Sequence, residues 1–285
     1  MNKTFDIKRL GMVMRWDILT GWKHYAGVCL GFVIAYTIFS LGMLYNLQNR
    51  DYCIREHSVS LFLTENGKMQ YFDHEAGFFT AITIIGIFVM AACIFKNMRT
   101  KTSRESFLML PANNCEKYVS RFLISSIGTL VLLAIALVAT DIIQLAFSFI
   151  ITPGFHVSIT LAVLKHIATL PIFTRMAETD IVAICCFIFC HSFCTLGGTF
   201  YRKRAPLFTF VTGILLVMVI GYALTLLAET DLFTLHITIN GDRSLSYMYT
   251  TISSVFFLAL AAANYWASYK IFTRMQVICN KWINI

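Results

Sequence analysis

Three cysteines in the second half of the chain have a spacing that could bind a metal ion. Cys186, Cys190 and Cys194 are four residues apart, so a helix would place them on one face. His191 lies about 100° from Cys190 around the same helix and points elsewhere. Because a metal site needs ligands converging from more than one segment, we favour small polarizable residues packing between helices. We therefore expect no metal or other cofactor in this chain.

Two polar residues interrupt an apolar run further upstream. Asp141 and Gln144 lie in the outer half of the stretch 122–149. A polar or ionisable group at membrane depth is a functional candidate, so this pair could line a pathway or a gate. The alternative, which we favour for Asp141, is a position near the membrane surface where water reaches the carboxylate.

Gly27 and Gly31 form a GxxxG pattern in the first apolar run. Small residues at this spacing let two membrane helices approach closely, so the pattern could mark a dimer contact. The pattern is also common by chance in membrane segments, where it serves ordinary packing.

Sequence motifs of common enzymes are absent. The chain contains no GxxxxGK[S/T] phosphate-binding loop, no HExxH and no GxSxG. We expect that it is not an enzyme and that it does not bind ATP through such a loop.

The elements that must position these residues are membrane helices. Hydrophobic residues make up 58% of the chain and charged residues 13%, against about 25% charged in globular domains. The mean hydropathy is +0.70. Several runs approach the ~20 apolar residues that cross a bilayer. We predict an all-α polytopic membrane protein, with 1–285 as one transmembrane domain and spans at about 25–47, 76–95, 122–149, 181–200, 207–228 and 248–269.

The distribution of charge gives the orientation. The net charge is +8, and about three quarters of the 23 Lys and Arg residues fall on one side of the predicted spans. That side comprises residues 1–24, 96–121, 201–206 and 270–285. The positive-inside rule then places both termini in the cytoplasm. The basic balance is explained by this topology and by contact with anionic membrane lipids, so nucleic acid is not an expected partner.

Three smaller elements are predicted outside the spans. Apolar residues at helical spacing in 4–24 indicate an amphipathic helix in the inner interface, with a polar tail as the alternative. The outer segments 58–72 and 232–247 each place Asn-Gly, at 66–67 and 240–241, between β-prone runs. Because both residues tolerate the positive φ of tight turns, we predict two small β-hairpins.

The charged segment between spans two and three has local signals for two helices. Ser103 can cap a short helix with Glu105 in its first turn. Pro111 disfavours helical geometry at Leu110, so this helix has about two turns. It would expose an apolar patch made of Phe107, Leu108 and Leu110.

A second helix is predicted to start at the end of this segment. Asn113 and Glu116 have capping-box spacing, and the helix would continue through Lys117 and Arg121 into the third span. The short helix before it would either lie flat on lipid or dock in a groove of a soluble cytoplasmic partner. The residues alone favour neither.

A resemblance to a known family bears on this choice. The stretch Phe107-Leu-Met-Leu-Pro-Ala-Asn-Asn-Cys-Glu-Lys-Tyr118 resembles the LPxxxxEK-aromatic pattern of a subgroup of bacterial permeases, and Leu196-Gly-Gly-Thr-Phe-Tyr-Arg-Lys203 is also similar to that subgroup. With six spans, an N-terminal interfacial helix and a short helix between spans two and three, the chain looks like the permease subunit of an ATP-binding-cassette transporter of the type-2 exporter class.

The resemblance implies partners and a location. The chain would reside in the bacterial inner membrane and pair with a second copy or a related permease. A separate cytoplasmic ATP-binding subunit would dock on 103–117 and transmit its closure through a stiff helix. The implied coupling residues are Arg104, Glu105, Phe107, Leu108, Leu110, Pro111, Asn113, Glu116 and Lys117.

The main alternative function is that of a non-transporting scaffold or sensor partner that binds another protein through its outer hairpins. A secondary transporter is a weaker alternative, since paired buried charges and inverted repeats are not evident.

Overall fold

The computed structural model describes residues 5–56, 65–98, 100–151, 158–169, 178–201, 203–228 and 243–275. These residues are almost entirely helical and contain no β-strand. A 3₁₀ turn covers Lys96–Met98 and a π-helical segment covers Ile124–Gly128. The α-helices are α1 (Ile7–Glu56), α2 (Glu65–Ala92), α3 (Lys101–Leu108), α4 (Asn114–Leu123), α5 (Thr129–Ile151), α6 (Ile159–Thr169), α7 (Glu178–Phe200), α8 (Ala205–Ala228) and α9 (Arg243–Arg274).

Within the described residues, five helical stretches are long and apolar enough to cross a membrane. They are Ile7–Gly42, Asn114–Ile150, Asp180–Phe200, Ala205–Tyr222 and Thr250–Arg274. A shorter apolar stretch, Ala76–Ala92, lies where the second span is predicted. Length and composition of this kind are those of a multi-pass membrane protein.

The N-terminal prediction is wrong in one respect. A separate interfacial helix over 4–24 is not formed, because α1 runs without a break from Ile7 to Glu56. No proline occurs in this stretch to interrupt the hydrogen-bond ladder, so the amphipathic beginning and the apolar run form one helix.

The first predicted β-hairpin is also wrong, because the residues predicted to form its turn are helical. Asn66 and Gly67 lie in the first turn of α2, which begins at Glu65. The Asn-Gly preference is local, and the long apolar helix that follows overrides it. Residues 57–64 lie outside the described part of the chain. So do residues 229–242, which hold most of the second predicted hairpin; residues 243–247 begin α9.

The chain divides into two compact units. The first comprises 1–13, 88–125 and 176–285, and the second comprises 14–87 and 126–175. The second unit has an apolar core around Tyr36 and Phe79, whose rings lie 5.8 Å apart. The hydroxyl of Tyr36 is hydrogen-bonded to Thr83 Oγ1 at 2.8 Å, which ties α1 to α2.

The first unit contains the close approach of three helix ends. Gly197 lies directly against the Thr209 side chain on α8. At Gly198, an added Cβ would be 2.7 Å from the carbonyl oxygen of Ala92, at the end of α2. Only glycine fits here, which explains the Gly-Gly pair in physical terms.

Gly198→Ala is expected to destabilise the protein by about 1–3 kcal/mol, because the methyl group meets backbone that cannot move aside. Gly221→Ala on α8 is the matched control. Nothing lies within 4 Å of a Cβ at 221, so this change is expected to be neutral or slightly stabilising. Thermal unfolding in detergent measures both, and equal midpoints for the two variants would contradict the close approach.

Candidate functional site

The segment 100–121, which we call the elbow, consists of α3, a turn at 109–113 and most of α4. The cap of α3 is Thr100, whose hydroxyl accepts a hydrogen bond from the Ser103 N–H at 3.3 Å. The prediction of Ser103 as the cap is therefore wrong by one turn, because the extended backbone that a cap needs occurs at Thr100. The predicted length of two turns is confirmed: α3 ends at Leu108.

Glu116 is the central residue of the elbow. Its Oε2 accepts from the Asn113 N–H at 2.9 Å, which confirms the predicted capping box. Its Oε1 accepts from the Asp6 N–H at 2.9 Å and from Arg9 Nη2 at 3.0 Å. The carboxylate is fully buried. One side chain thus fastens the N-terminal segment of the chain to the turn of the elbow.

The electrostatics of this carboxylate follow from its partners. Glu116 precedes the apolar part of its helix, which begins at Phe122. Burial acts to raise the pKa of Glu116, but the two backbone hydrogen bonds and the charge of Arg9 outweigh it, so the pKa lies below its ordinary value. The group is therefore an anion at neutral pH.

Lys117 closes the other side of the turn. Its Nζ donates to the Leu108 carbonyl at 2.7 Å, at the C-terminal end of α3, where a cation is favoured by the helix dipole. Lys117 is 3% exposed, and this burial lowers its pKa. The turn is thus held between a buried anion and a buried cation, one residue apart on α4.

Two further implied coupling residues, both on α3, are buried as well. Arg104 is buried, and its Nε and Nη2 donate to the Met98 carbonyl, each at 3.4 Å. Phe107 is fully buried, with the Arg121 guanidinium 4.5 Å from its ring centroid and the Phe272 ring 6.5 Å away. The prediction that Phe107 forms part of an exposed apolar patch is wrong, because α9 covers it.

The exposed apolar tip of the elbow is Met109, with 83% of its surface accessible. Pro111 beside it is exposed, whereas Leu108 and Leu110 are half-buried. On α3, Glu105 forms an exposed pair with Lys101 at 3.9 Å. The predicted apolar patch of Phe107, Leu108 and Leu110 does not include Met109. The signal that could have identified Met109 is its position after the last turn of α3, two residues before the proline.

The elbow is also fixed to the helices behind it. Tyr118 donates its hydroxyl hydrogen to Ser268 Oγ on α9 at 2.9 Å, and Ser268 Oγ is 2.9 Å from Thr199 Oγ1 on α7. All three groups are buried. The predicted continuation of α4 into the third apolar stretch is confirmed, with the π-helical segment Ile124–Gly128 in between. Irregular turns of this kind are frequent at functional positions in helices.

The polar pair of the second unit separates into two roles. Asp141 accepts from Ser158 Oγ at 2.6 Å and from the Ile159 N–H at 2.7 Å, so it caps α6. Gln144 is fully buried, and neither its Oε1 nor its Nε2 has a hydrogen-bond partner among the described residues. Gln144 therefore remains the stronger functional candidate of the two.

The glycine and cysteine patterns bring no site together within the described residues. Gly27 and Gly31 have nothing within 4 Å of an added Cβ, so the described part of the chain makes no close helix contact there. Cys194 packs with Ala91 and Ala92. No group of three or more metal-binding side chains occurs in the part of the chain that the structure describes.

Comparisons with family models, with curated proteins and with solved structures find no match to this chain. Its function therefore has to be inferred from the elbow, from buried Gln144 and from the apolar helix surfaces.

Proposed function

We propose that this chain is the permease subunit of an ATP-driven export system of the bacterial inner membrane. It crosses the membrane six times, with both termini in the cytoplasm, and pairs with a second copy or a related permease. A separate ATPase docks on the segment 103–117. The resemblance of 110–118 to permease sequences, the one-sided distribution of Lys and Arg and the build of the elbow support this proposal.

The observation that carries the proposal is a rigid elbow with one exposed apolar tip. A soluble ATPase can transmit its closure to a membrane helix only through a stiff connecting element. Buried Glu116 and Lys117 fix the turn through hydrogen bonds, and buried Arg104 ties α3 to the Met98 carbonyl that precedes it. Tyr118 links it to the ends of α7 and α9. This internal bracing exceeds what a loop lying on lipid requires.

The docking surface is the outer side of this elbow. Met109 is the anchor: it is unbranched and adaptable, and such side chains are favoured where a partner closes over them. Pro111, two residues further on, is exposed, and α3 carries the accessible polar residues Thr102, Glu105 and Ser106. An apolar anchor within a polar rim is the usual arrangement of a protein interface.

Met109→Asp is expected to abolish association with the ATPase, because a carboxylate in the centre of the interface is desolvated without a partner. The chain is co-expressed with ATPases encoded beside its gene, and capture on the purified chain is measured. Met12→Asp is the matched control, since Met12 is also exposed (63%) but lies outside the elbow. Phe107→Asp is unsuitable because a charge at this buried position would disrupt the elbow itself.

Capture by the wild type and by Met12→Asp, but not by Met109→Asp, supports the proposal. If no ATPase associates with the wild type, the proposed function fails. If Met109→Asp retains full capture, the tip contacts lipid and the docking site is elsewhere.

A further inference from the structure

An apolar groove runs between α7 and α8 in the first unit. Its volume is about 430 Å³, which falls in the ~300–1,000 Å³ range of small-molecule sites. Four aromatic rings form much of its wall: Phe88, Phe189, Phe193 and Phe210. Val217 and Met218 line the groove and are at the same time 70% and 65% exposed, so the groove opens sideways on the helix surface.

The groove begins beyond the tightly packed start of α8. At its start, α8 is packed tightly, with Thr209 buried against Gly197. One turn later, Gly213 lies close to Phe193, whose ring would be 3.3 Å from a Cβ at that position. In the described part of the chain, every residue of α8 from Ile214 to Ile220 is exposed. A helix that is apolar on all sides and exposed over two turns faces hydrocarbon.

The dimensions of the groove match one leaflet of a bilayer. At 1.5 Å per residue, Thr209 lies about 8 Å and Met218 about 21 Å along the axis from Arg204. Half of a hydrocarbon core is about 15 Å thick. The groove therefore starts just beyond the headgroup level and ends near the midplane.

Basic residues precede the Thr209 end of the groove in the sequence. Lys203 and Arg204 are exposed directly before α8, and Arg202 precedes them in the sequence. Basic residues at this depth attract anionic headgroups, at about 1 kcal/mol for each Lys or Arg near the surface. A ligand that fits both ends carries a phosphate at one end and a hydrocarbon chain at the other.

We propose that this groove is a binding site for an anionic phospholipid, with one acyl chain between α7 and α8 and the phosphate at Lys203 and Arg204. In the orientation given above, the lipid comes from the cytoplasmic leaflet. The lipid site does not depend on the elbow or on an ATPase, so a failure of the proposed export function would not contradict it. It differs from ordinary lipid contact in being saturable and selective for headgroup charge.

Binding is measured on the purified full-length chain by native mass spectrometry, with phosphatidylglycerol and phosphatidylcholine of the same acyl chains titrated in detergent. The wild type is expected to retain phosphatidylglycerol in a saturable 1:1 complex and to prefer it over phosphatidylcholine. Gly213→Leu, which fills the groove, is expected to weaken this binding by at least about tenfold, since losing the burial of even two methylene groups has that effect. Gly221→Leu, on the same helix but with nothing within 4 Å of its Cβ, is expected to bind as the wild type does.

A second pair of variants covers the case in which Gly213→Leu does not fold. Val217→Trp blocks the mouth of the groove, whereas Val219→Trp adds the same bulk at a position that is 67% exposed and does not line the groove. Only the first is expected to lose the bound lipid. Lys203→Gln with Arg204→Gln is expected to remove the preference for phosphatidylglycerol while leaving chain binding in place.

Three results would overturn the proposal. One is equal lipid binding by Val217→Trp and Val219→Trp. Another is non-saturable binding with no headgroup preference in the wild type. The third is a change of oligomeric mass, rather than of bound lipid, in the groove variants, because that would make the groove a contact between copies of the chain.

Discussion

Replacing Glu116 with alanine is expected to lower the stability of the first unit by about 1–3 kcal/mol, the usual cost of leaving hydrogen-bond donors without their acceptor. The change removes the acceptor of the Asn113 and Asp6 N–H groups and the buried partner of Arg9. Arg9 and Asp6 lie 107 and 110 residues before Glu116 in the sequence. Losing their contacts with Glu116 therefore detaches the N-terminal segment from the elbow. Thermal unfolding in detergent and limited proteolysis of the N-terminal segment measure the effect.

Two controls separate this effect from a general loss of charge. Glu116→Gln keeps one oxygen acceptor and the volume of the side chain, so it is expected to cost less than Glu116→Ala. Glu105→Ala removes a carboxylate from the exposed pair with Lys101 at 3.9 Å, which contributes about 0.5 kcal/mol or less. Similar unfolding midpoints for Glu116→Ala and Glu105→Ala would show that the buried network is not structurally important.

A double-substitution cycle tests whether Arg9 and Glu116 act as a pair. Arg9→Ala and Glu116→Ala are expected to be non-additive when combined, because either change alone already breaks the contact. Additive effects would mean that Glu116 stabilises the elbow only through the backbone of Asn113 and Asp6. The ATPase capture experiment on the same variants then shows whether bracing of the elbow matters for docking.

Local signals in the sequence predicted the outline of the elbow. The proline at 111 stops α3 and the Asn113–Glu116 spacing starts α4, because both act through backbone geometry within a few residues. The contacts that brace the elbow could not be predicted in this way. Arg9 lies 107 residues from Glu116, and the spacing of charges along a chain does not show which distant segments meet.

The burial of Phe107 has the same explanation. An apolar residue on a short charged helix is compatible with an exposed anchor and with a core position, and periodicity does not distinguish them. The residue that covers it, Phe272, comes from the end of α9, and nothing in the local pattern indicates that contact. Met109 is exposed because the helix ends before it and its side chain faces away from that core.

Hydropathy predicted the membrane helices better than their ends. Apolar composition over about 20 residues reflects transfer into hydrocarbon, which dominates local preferences. Two features depend instead on how far a helix extends: α1 continues from its amphipathic start into the apolar run, and α2 includes Asn66 and Gly67 in spite of their turn preference. Helix propagation is cooperative, so a tight-turn preference at the first turn of a long helix is overridden.

Gln144 poses a different question, because its burial costs stability without an evident structural gain. One turn before it, Thr140 donates to the Val33 carbonyl at 3.4 Å, and one turn after it, Ser148 donates to the Leu145 carbonyl at 2.8 Å. Gln144 lies between them with no hydrogen-bond partner in the described residues. An unsatisfied buried polar group costs about 1–3 kcal/mol, and such groups persist where another conformation uses them.

Gln144→Leu is expected to raise the unfolding midpoint by several degrees, since about 1 kcal/mol corresponds to roughly 2–4 °C in a protein of this size class. Under the proposed export function, it is also expected to reduce ATP hydrolysis by the proposed complex with an ATPase, because a core that opens in turn to each side of the membrane needs polar groups. Thr140→Val is the control: it removes a satisfied hydroxyl and should lower the midpoint. A Gln144→Leu protein that is less stable than the wild type would show that the amide is satisfied. A Gln144→Leu protein that is more stable and fully active would make Gln144 a packing residue and would contradict its proposed role in a pathway.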